Sequence, residues 1–257
     1  MNNKRCLVFL VLFGCFFIHG LSVASARAED LTPLLNKISK RMNSYPENNN
    51  IQYKFVETYT EMDKKWRPKK TRVTKEIRKV VDGIPSGEIL EAVEIEDGVT
   101  KDIKQEVIEQ YKRIVERDNK FRAERKEKKE NEFDELIPFN EKRRAGFEFK
   151  RLNDDTLYER PVFVIETVAK EKDIDLFEGK YYIDKKTYDV LKAQLKPPKK
   201  PKLVKEMSME VEFQVLPEGN FMLKRVKARV DAGLLFVRLR AIEEEEYFDV
   251  KILDSKM

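Results

Sequence analysis

The sequence predicts a mainly β protein: a large curled antiparallel sheet, an open or half β-barrel of about eleven strands, with inserted helices covering its concave side. Two observations carry this. Most of the chain alternates apolar and polar residues with period two, broken by short clusters of Gly, Pro, Asn and Asp. Only two stretches have helical spacing, too little helix to cover so long a sheet.

The first of these is Asp30 to Tyr45, where Leu31, Leu34, Leu35, Ile38 and Met42 share a stripe. Asp30 or Thr32 can cap it, with Pro33 in its first turn. Period two follows. Ile51, Tyr53, Phe55 and Tyr59 alternate with Gln52, Lys54 and Thr58. A second run carries Val73, Ile77 and Val81 on one side, and a third carries Ile89, Val93 and Ile95. The turn clusters at Asp82–Gly87 and Asp97-Gly98 make this a three-strand meander. The second helical stretch, residues 100–131, places Ile103, Val107, Tyr111, Ile114 and Val115 near helical spacing. It then loses its apolar residues over 117–130, "RDNKFRAERKEKKE", which reads as a solvated face or excursion. Leu136-Ile137-Pro138-Phe139 is an apolar patch suited to plugging a core.

Strands resume at Phe147 and Phe149. Pro161-Val162-Phe163-Val164-Ile165 reads as a well-buried strand. A hairpin follows: Gly179, Tyr181 and Ile183 lie opposite Lys180, Tyr182 and Asp184, and Leu191, Ala193 and Leu195 opposite Lys192, Gln194 and Lys196. Pro197, Pro198 and Pro201 exclude a central strand there. Three long strands close the chain. Met209, Val211, Phe213 and Val215 are one apolar set, Met222, Val226, Ala228 and Val230 the next, and Leu235, Val237, Leu239 and Ala241 the third, with Phe248, Val250 and Ile252 at the end. The apolar sets predict an apolar inner face. The intervening Lys, Arg and Glu predict a charged outer face with cross-strand ion pairs.

The N-terminus reads as an export signal over residues 1–28. A basic start to Arg5 precedes the apolar run Cys6–Val23 and the small-residue cleavage pattern Ala24-Ser25-Ala26-Arg27-Ala28. A membrane anchor is the competing reading, disfavoured by the short run and His19. Lipidation at Cys15 is another, disfavoured by Phe13. Cleavage would leave one domain, residues 29–257, in the periplasm. Cys6, Cys15 and His19 are the chain's only cysteines and histidine, so a cleaved chain has neither. Disulfides, Cys-His and Ser-His-Asp nucleophiles and Cys/His zinc sites are then excluded. The chain has 52 Lys+Arg and 47 Asp+Glu. Removing Lys4, Arg5 and Arg27 brings the net charge from +5 to +2. Charge so balanced is a solvated surface and not a nucleic-acid footprint.

The hairpin "YIDKKTYDVLKAQ" carries a resemblance. Tyr182, the turn Ile183-Asp184-Lys185-Lys186-Thr187 and the strand entered at Val190-Leu191 resemble the strand–turn–strand unit of the LolA/LolB-like family of periplasmic lipoprotein carriers, which includes RseB-type sensor domains. "ERPVFVIETVAK" resembles the strand before that unit. The final strands from Leu216 resemble the closing meander, and "YTEMDKKWRPKKTRVTKEIRKVVDG" fits the opening one. The chain departs from the family pattern at Tyr188, usually glycine, and at Gly219–Lys224, where a proline is missing. The resemblance implies an open half-barrel and a part in outer-membrane lipoprotein sorting or envelope lipid transport, as a chaperone-like carrier. Its motifs are structural, and no carrier's release-controlling arginines can be placed here.

Two functions stay open. One is a carrier whose concave cavity holds a lipid or a lipoprotein acyl chain. Its candidate lining is Tyr53, Phe55, Ile77, Val93, Phe163, Ile165, Tyr181, Ile183, Leu191, Val211, Phe213, Val226, Val237 and Leu239. The other is a non-enzymatic envelope sensor or protein-interaction domain, its cavity plugged by its own helices and its contact surface at 117–130. No cofactor, metal site or catalytic residue is expected. Glu243–Glu246 reads as a surface run split between two faces. The mature protein is expected to be monomeric and not membrane-spanning.

Overall fold

The computed structural model describes residues 30–46, 50–81, 84–113, 136–171, 176–234 and 237–253. The leader expected at 1–28 and the charged run expected at 117–130 lie outside them. One helix, α1 (Thr32–Met42), precedes a single antiparallel sheet of twelve strands. These are β1 (Ile51–Met62), β2 (Pro68–Val81), β3 (Ile84–Glu96), β4 (Val99–Asp102), β5 (Phe147–Arg151), β6 (Asp155–Leu157), β7 (Arg160–Ala169), β8 (Glu178–Asp184), β9 (Val190–Lys196), β10 (Val204–Val215), β11 (Phe221–Leu234) and β12 (Val237–Ile252). The order across the sheet is β4-β3-β2-β1-β12-β11-β10-β9-β8-β7-β5, with β6 also on β7.

Almost every neighbour is a sequence neighbour, as short turns dictate. Two neighbours are exceptions: β5 skips the short β6 to pair with β7, and β1 pairs with β12 from Ile51–Ile252 to Glu61–Ala241, which joins the two meanders. The outermost strands, β4 and β5, are not paired with each other, so the sheet stays open. Two short strands are not expected from sequence: β4, whose residues 100–102 read as the start of the second helical stretch, and β6. Helix starts only after β4, over residues 104–113. β12 runs unbroken through Glu243–Glu246, where the sequence predicts an interruption.

α1 forms as its stripe requires, burying Leu35 and Ile38, with Lys40 and Arg41 favourably placed at its negative C-terminal end. Its N-cap is Leu31, with no side-chain hydrogen bond. Neither Asp30 nor Thr32 takes that role, because the helix begins one residue after Asp30 could cap it. The main core cluster is Leu35 and Ile38 of α1, Ile137 and Phe139, and inward residues of β7 to β11. The patch at 136–139 is therefore the plug its sequence suggests. Ile137 and Phe139 are buried, Phe139 stands edge-on to Tyr181 at 5.1 Å, and the Tyr181 hydroxyl donates to the Leu136 carbonyl at 2.8 Å. The two covers are tied together where Arg144 Nη1 donates to Asn36 Oδ1 of α1 at 2.8 Å.

Candidate functional site

Residues directly opposite each other in an antiparallel sheet point to the same face. One row can therefore be followed across the inner face: Ile165, Tyr181, Ala193, Val211, Val226, Glu245, Glu57, Thr74, Ala92. The next row is Thr167, Gly179, Leu195, Met209, Ala228, Glu243, Tyr59, Arg72, Glu94. Both rows change character between β11 and β12. Across β7–β11 the inner face is apolar; across β12 and β1–β3 it is polar and charged.

The outer face changes the opposite way. Its row begins Glu166, Lys180, Gln194, Glu210, Lys227, Glu244 and ends Thr58, Val73, Val93. The charged outer face expected from sequence thus holds on β7–β12, with Lys227 Nζ 2.6 Å and Arg225 Nη2 2.9 Å from Glu244. On β2 and β3 the faces are exchanged.

This sorts the predicted lining. Ile165, Tyr181, Ile183, Val211 and Phe213 lie in the apolar core, with Phe163 and Val226 packed against it. Tyr53 and Phe55 belong to the polar half of the inner face, where both rings meet Tyr247, at 5.6 and 5.2 Å between centroids. Leu239 sits opposite Ala232 and is exposed, and Val237 pairs with Leu234 at the sheet end. Three residues are corrections. Ile77 pairs with Lys54 and Val93 with Val73, on the outer face, because the apolar parity of β2 and β3 is the outer one. Leu191 packs with Val162 and Val164, also on the outer face. The cause is a bulge: Tyr182 opposes Lys192 but Ile183 opposes Val190, so Leu191 is the extra residue and turns outward.

Within the apolar half the structure adds a latch that sequence reading missed. Asp189, in the β8–β9 connection, accepts from Arg41 Nε and from the Tyr45 hydroxyl, both at 2.6 Å, and from Thr187 Oγ1 at 2.8 Å. It holds the end of α1 against the sheet. Burial and the Asp189 hydrogen bond push the Tyr45 hydroxyl pKa up. Tyr45 stacks on Phe221 at 4.8 Å, and Phe221 on Phe213 at 5.2 Å. Beside it Lys37 Nζ donates to the Tyr188 hydroxyl at 3.2 Å. Tyr188 has φ +62°, a left-handed conformation that favours glycine, and its ring stacks on Phe163. Asp189 itself was legible as an acid after a turn; its partners, some 145 residues earlier, were not.

In the polar half, Glu57, Glu243 and Glu245 sit in adjacent register positions near Glu76. Arg78 Nε donates to Glu76 at 2.8 Å, with its guanidinium 3.7 Å above the Phe55 ring. One arginine does not offset four carboxylates. Burial first, then Glu243 and Glu245, push the Glu57 carboxyl above the usual range. Burial and Glu245 do the same to Glu243. Glu243 and Glu245 face inward and Glu244 and Glu246 outward, the split expected from sequence. Among the described residues no three Asp or Glu side chains are placed to hold a metal ion, and no helix is long and apolar enough to cross a membrane.

Three solved structures of similar layout can be set beside this chain. A domain assigned to outer-membrane lipoprotein sorting, from Vibrio parahaemolyticus, is 12% identical over 87% of this chain and 93% of its own, with a TM-score of 0.41. A LolA superfamily protein from Nitrosomonas europaea is 9% identical over 87% of this chain and 93% of its own, at 0.39. MucB in the MucA/MucB complex of Pseudomonas aeruginosa is 9% identical over 87% of this chain and 99% of its own, at 0.26. No protein-family model and no curated protein matches the chain.

Proposed function

We propose that this protein is a non-enzymatic periplasmic carrier. It holds a lipid or a lipoprotein acyl chain against the inner face of β7–β11, in the place that α1 covers. One observation supports this above others: the apolar inner face of β7–β11 is covered by elements from outside the sheet. These are the 11-residue helix α1, which buries Leu35 and Ile38 and brings Leu31, Leu34, Met42 and Tyr45 against the core, and the plug at Ile137 and Phe139. Burying one such side chain fully is worth about 1.5–3 kcal/mol. An acyl chain gains about 0.8 kcal/mol per buried CH₂, so a chain of about sixteen methylenes, worth about 13 kcal/mol, is on the scale of what the apolar contacts of the helix supply. Cargo can therefore take the helix's place while the latch at Asp189 brings it back afterwards. The inner surface itself, of Ile165, Tyr181, Ile183, Val211 and Phe213, suits an apolar chain and needs no covalent chemistry.

The test is lipid extraction and mass spectrometry on protein purified from the periplasm, with titration of a fluorescent fatty acid. Copurifying acyl lipid and saturable probe binding are expected. An empty protein that ignores the probe ends the carrier reading. A sensor or protein-interaction role is the second reading, favoured by how fully these same side chains are already buried. Loss of a protein partner on deleting residues 117–130, with the fold intact, would support it.

A further inference from the structure

We propose that the sheet end formed by the β1–β2 and β9–β10 connections docks on an anionic phospholipid bilayer. The strand order brings these connections to one end, and hydrogen bonds tie each to the strands that lie between them. Gly233 N donates to the Leu203 carbonyl at 2.8 Å, and Arg240 Nη1 to the Asp63 carbonyl at 3.3 Å. Residues 63–70 read DKKWRPKK and residues 196–205 read KPPKKPKLVK, ten basic residues against one acid. That acid is engaged: the Asp63 carboxylate accepts from Lys65 N, Arg67 N and Arg67 Nε.

Elsewhere on this protein many cations are matched across strands, as in Lys75–Glu91 and Lys192–Glu210. Here Arg67, Lys70 and Lys196 are paired, with Asp63, Glu94 and Glu178, and the other seven cations have no ion-pair partner among the described residues. Of those seven, Lys64, Lys65, Lys199 and Lys202 are exposed. The platform is also stiff. Pro197, Pro198 and Pro201 fix φ along one loop. In the other, Trp66 lies 3.6 Å from the guanidinium of Arg229.

Leu203 separates a bilayer from an acidic protein as the partner. It stands among these lysines with φ +76°, a conformation leucine rarely adopts, and its side chain is 53% exposed. A leucine that is both strained and presented to water is unfavourable twice over in the isolated protein. Insertion among lipid headgroups removes the second penalty, while the surrounding ammonium groups meet the negative surface potential. A basic rim with an apolar point at its centre matches a membrane interface.

The test is cosedimentation of the purified protein with vesicles of phosphatidylcholine, with and without phosphatidylglycerol. Binding is expected only with phosphatidylglycerol and should be lost at high salt. The variant Lys64→Gln/Lys65→Gln/Lys199→Gln/Lys202→Gln should bind about a thousandfold more weakly. Leu203→Ser should weaken binding several-fold at unchanged net charge. A control, Lys40→Gln/Lys79→Gln/Lys150→Gln/Lys251→Gln, removes the same charge from exposed sites elsewhere and should lose only a few-fold. Melting curves confirm that each variant is folded. Equal binding to neutral vesicles, no vesicle binding by folded protein, or equal losses in the two quadruple variants overturns the proposal. So does retention on polyglutamate but not on anionic vesicles, which would assign the rim to an acidic protein.

Discussion

Arg41 and Asp189 meet at 2.6 Å across 148 residues of sequence, fastening α1, which lies over the apolar inner face, to the turn between β8 and β9. Asp189 is buried and accepts three side-chain hydrogen bonds, so Asp189→Ala leaves Arg41, Tyr45 and Thr187 without their acceptor. The expected loss is about 1–3 kcal/mol in chemical denaturation. If α1 is the removable cover of an acyl site, the same variant should bind a fluorescent fatty acid more tightly, because less is lost on displacing the helix. Reduced stability with unchanged probe affinity would mean that α1 does not gate the site.

The plug makes a different prediction. Phe139 is fully buried and edge-on to Tyr181, with Phe149 at 5.8 Å. Phe139→Ala should cost about 3–5 kcal/mol, since the core is held from both sides and cannot collapse into the space. Tyr181→Phe keeps the ring, removes the hydroxyl that donates to the Leu136 carbonyl, and should cost about 1 kcal/mol. A Tyr181→Phe loss as large as that of Phe139→Ala would mean that the carbonyl contact, and not packing, holds the plug.

Why the first half of the sheet was misread from sequence follows from the same chemistry. Alternation tells which residues of a strand share a face, not which face that is. On β8–β11 the apolar set and the inner face coincide, so the core residues Tyr181, Ile183, Val211 and Phe213 were legible, as was the plug at Ile137 and Phe139. On β2 and β3 the apolar set of Val73, Ile77 and Val93 points outward, while Glu76, Arg78 and Thr74 point in. Only the register against β1 shows this. Leu191 failed for a smaller reason, because one bulged residue reverses parity beyond it. The latch was illegible because it joins residues brought together by the whole fold.

Gly179 has φ +155°, and a Cβ there would lie 1.9 Å from the Gln194 carbonyl oxygen. Backbone at that distance cannot yield, so Gly179→Ala should cost about 3 kcal/mol or more. Gly98, also at positive φ, has open space around it; Gly98→Ala should cost only the backbone strain, about 1 kcal/mol. Comparing the two midpoints in urea separates steric clash from backbone strain.

Glu57 predicts a stability that depends on pH. Its carboxyl pKa is raised by burial and by Glu243 and Glu245. A raised folded-state value means that the native protein binds the proton more tightly than the unfolded chain does. Its contribution is most favourable below the ordinary glutamate pKa and is lost as pH rises through the folded value. Glu57→Gln cannot ionise, so it should be more stable than the parent at neutral pH. That advantage should shrink toward acid. A variant destabilised at every pH would mean that Arg78 already compensates the charge.

Asp231 carries the opposite sign. Arg238 first, then Arg240, donate to its carboxylate and hold its pKa down to about 2, below the usual 3.8. Stability from this group is present above the ordinary aspartate pKa and lost as pH falls from 3.8 toward about 2. Asp231→Asn should therefore be destabilised by about 1–3 kcal/mol at neutral pH, because the arginines lose a charged acceptor. The gap to the parent should close across that acid window. Asp231 also fixes Arg240, which holds the Asp63 carbonyl and lies 5.9 Å from Trp66. Loosening it should quench or shift the fluorescence of Trp66, the only tryptophan. A gap that stays constant from neutral pH down to about 2 would show that the aspartate acts through shape and hydrogen bonding alone, not through its charge.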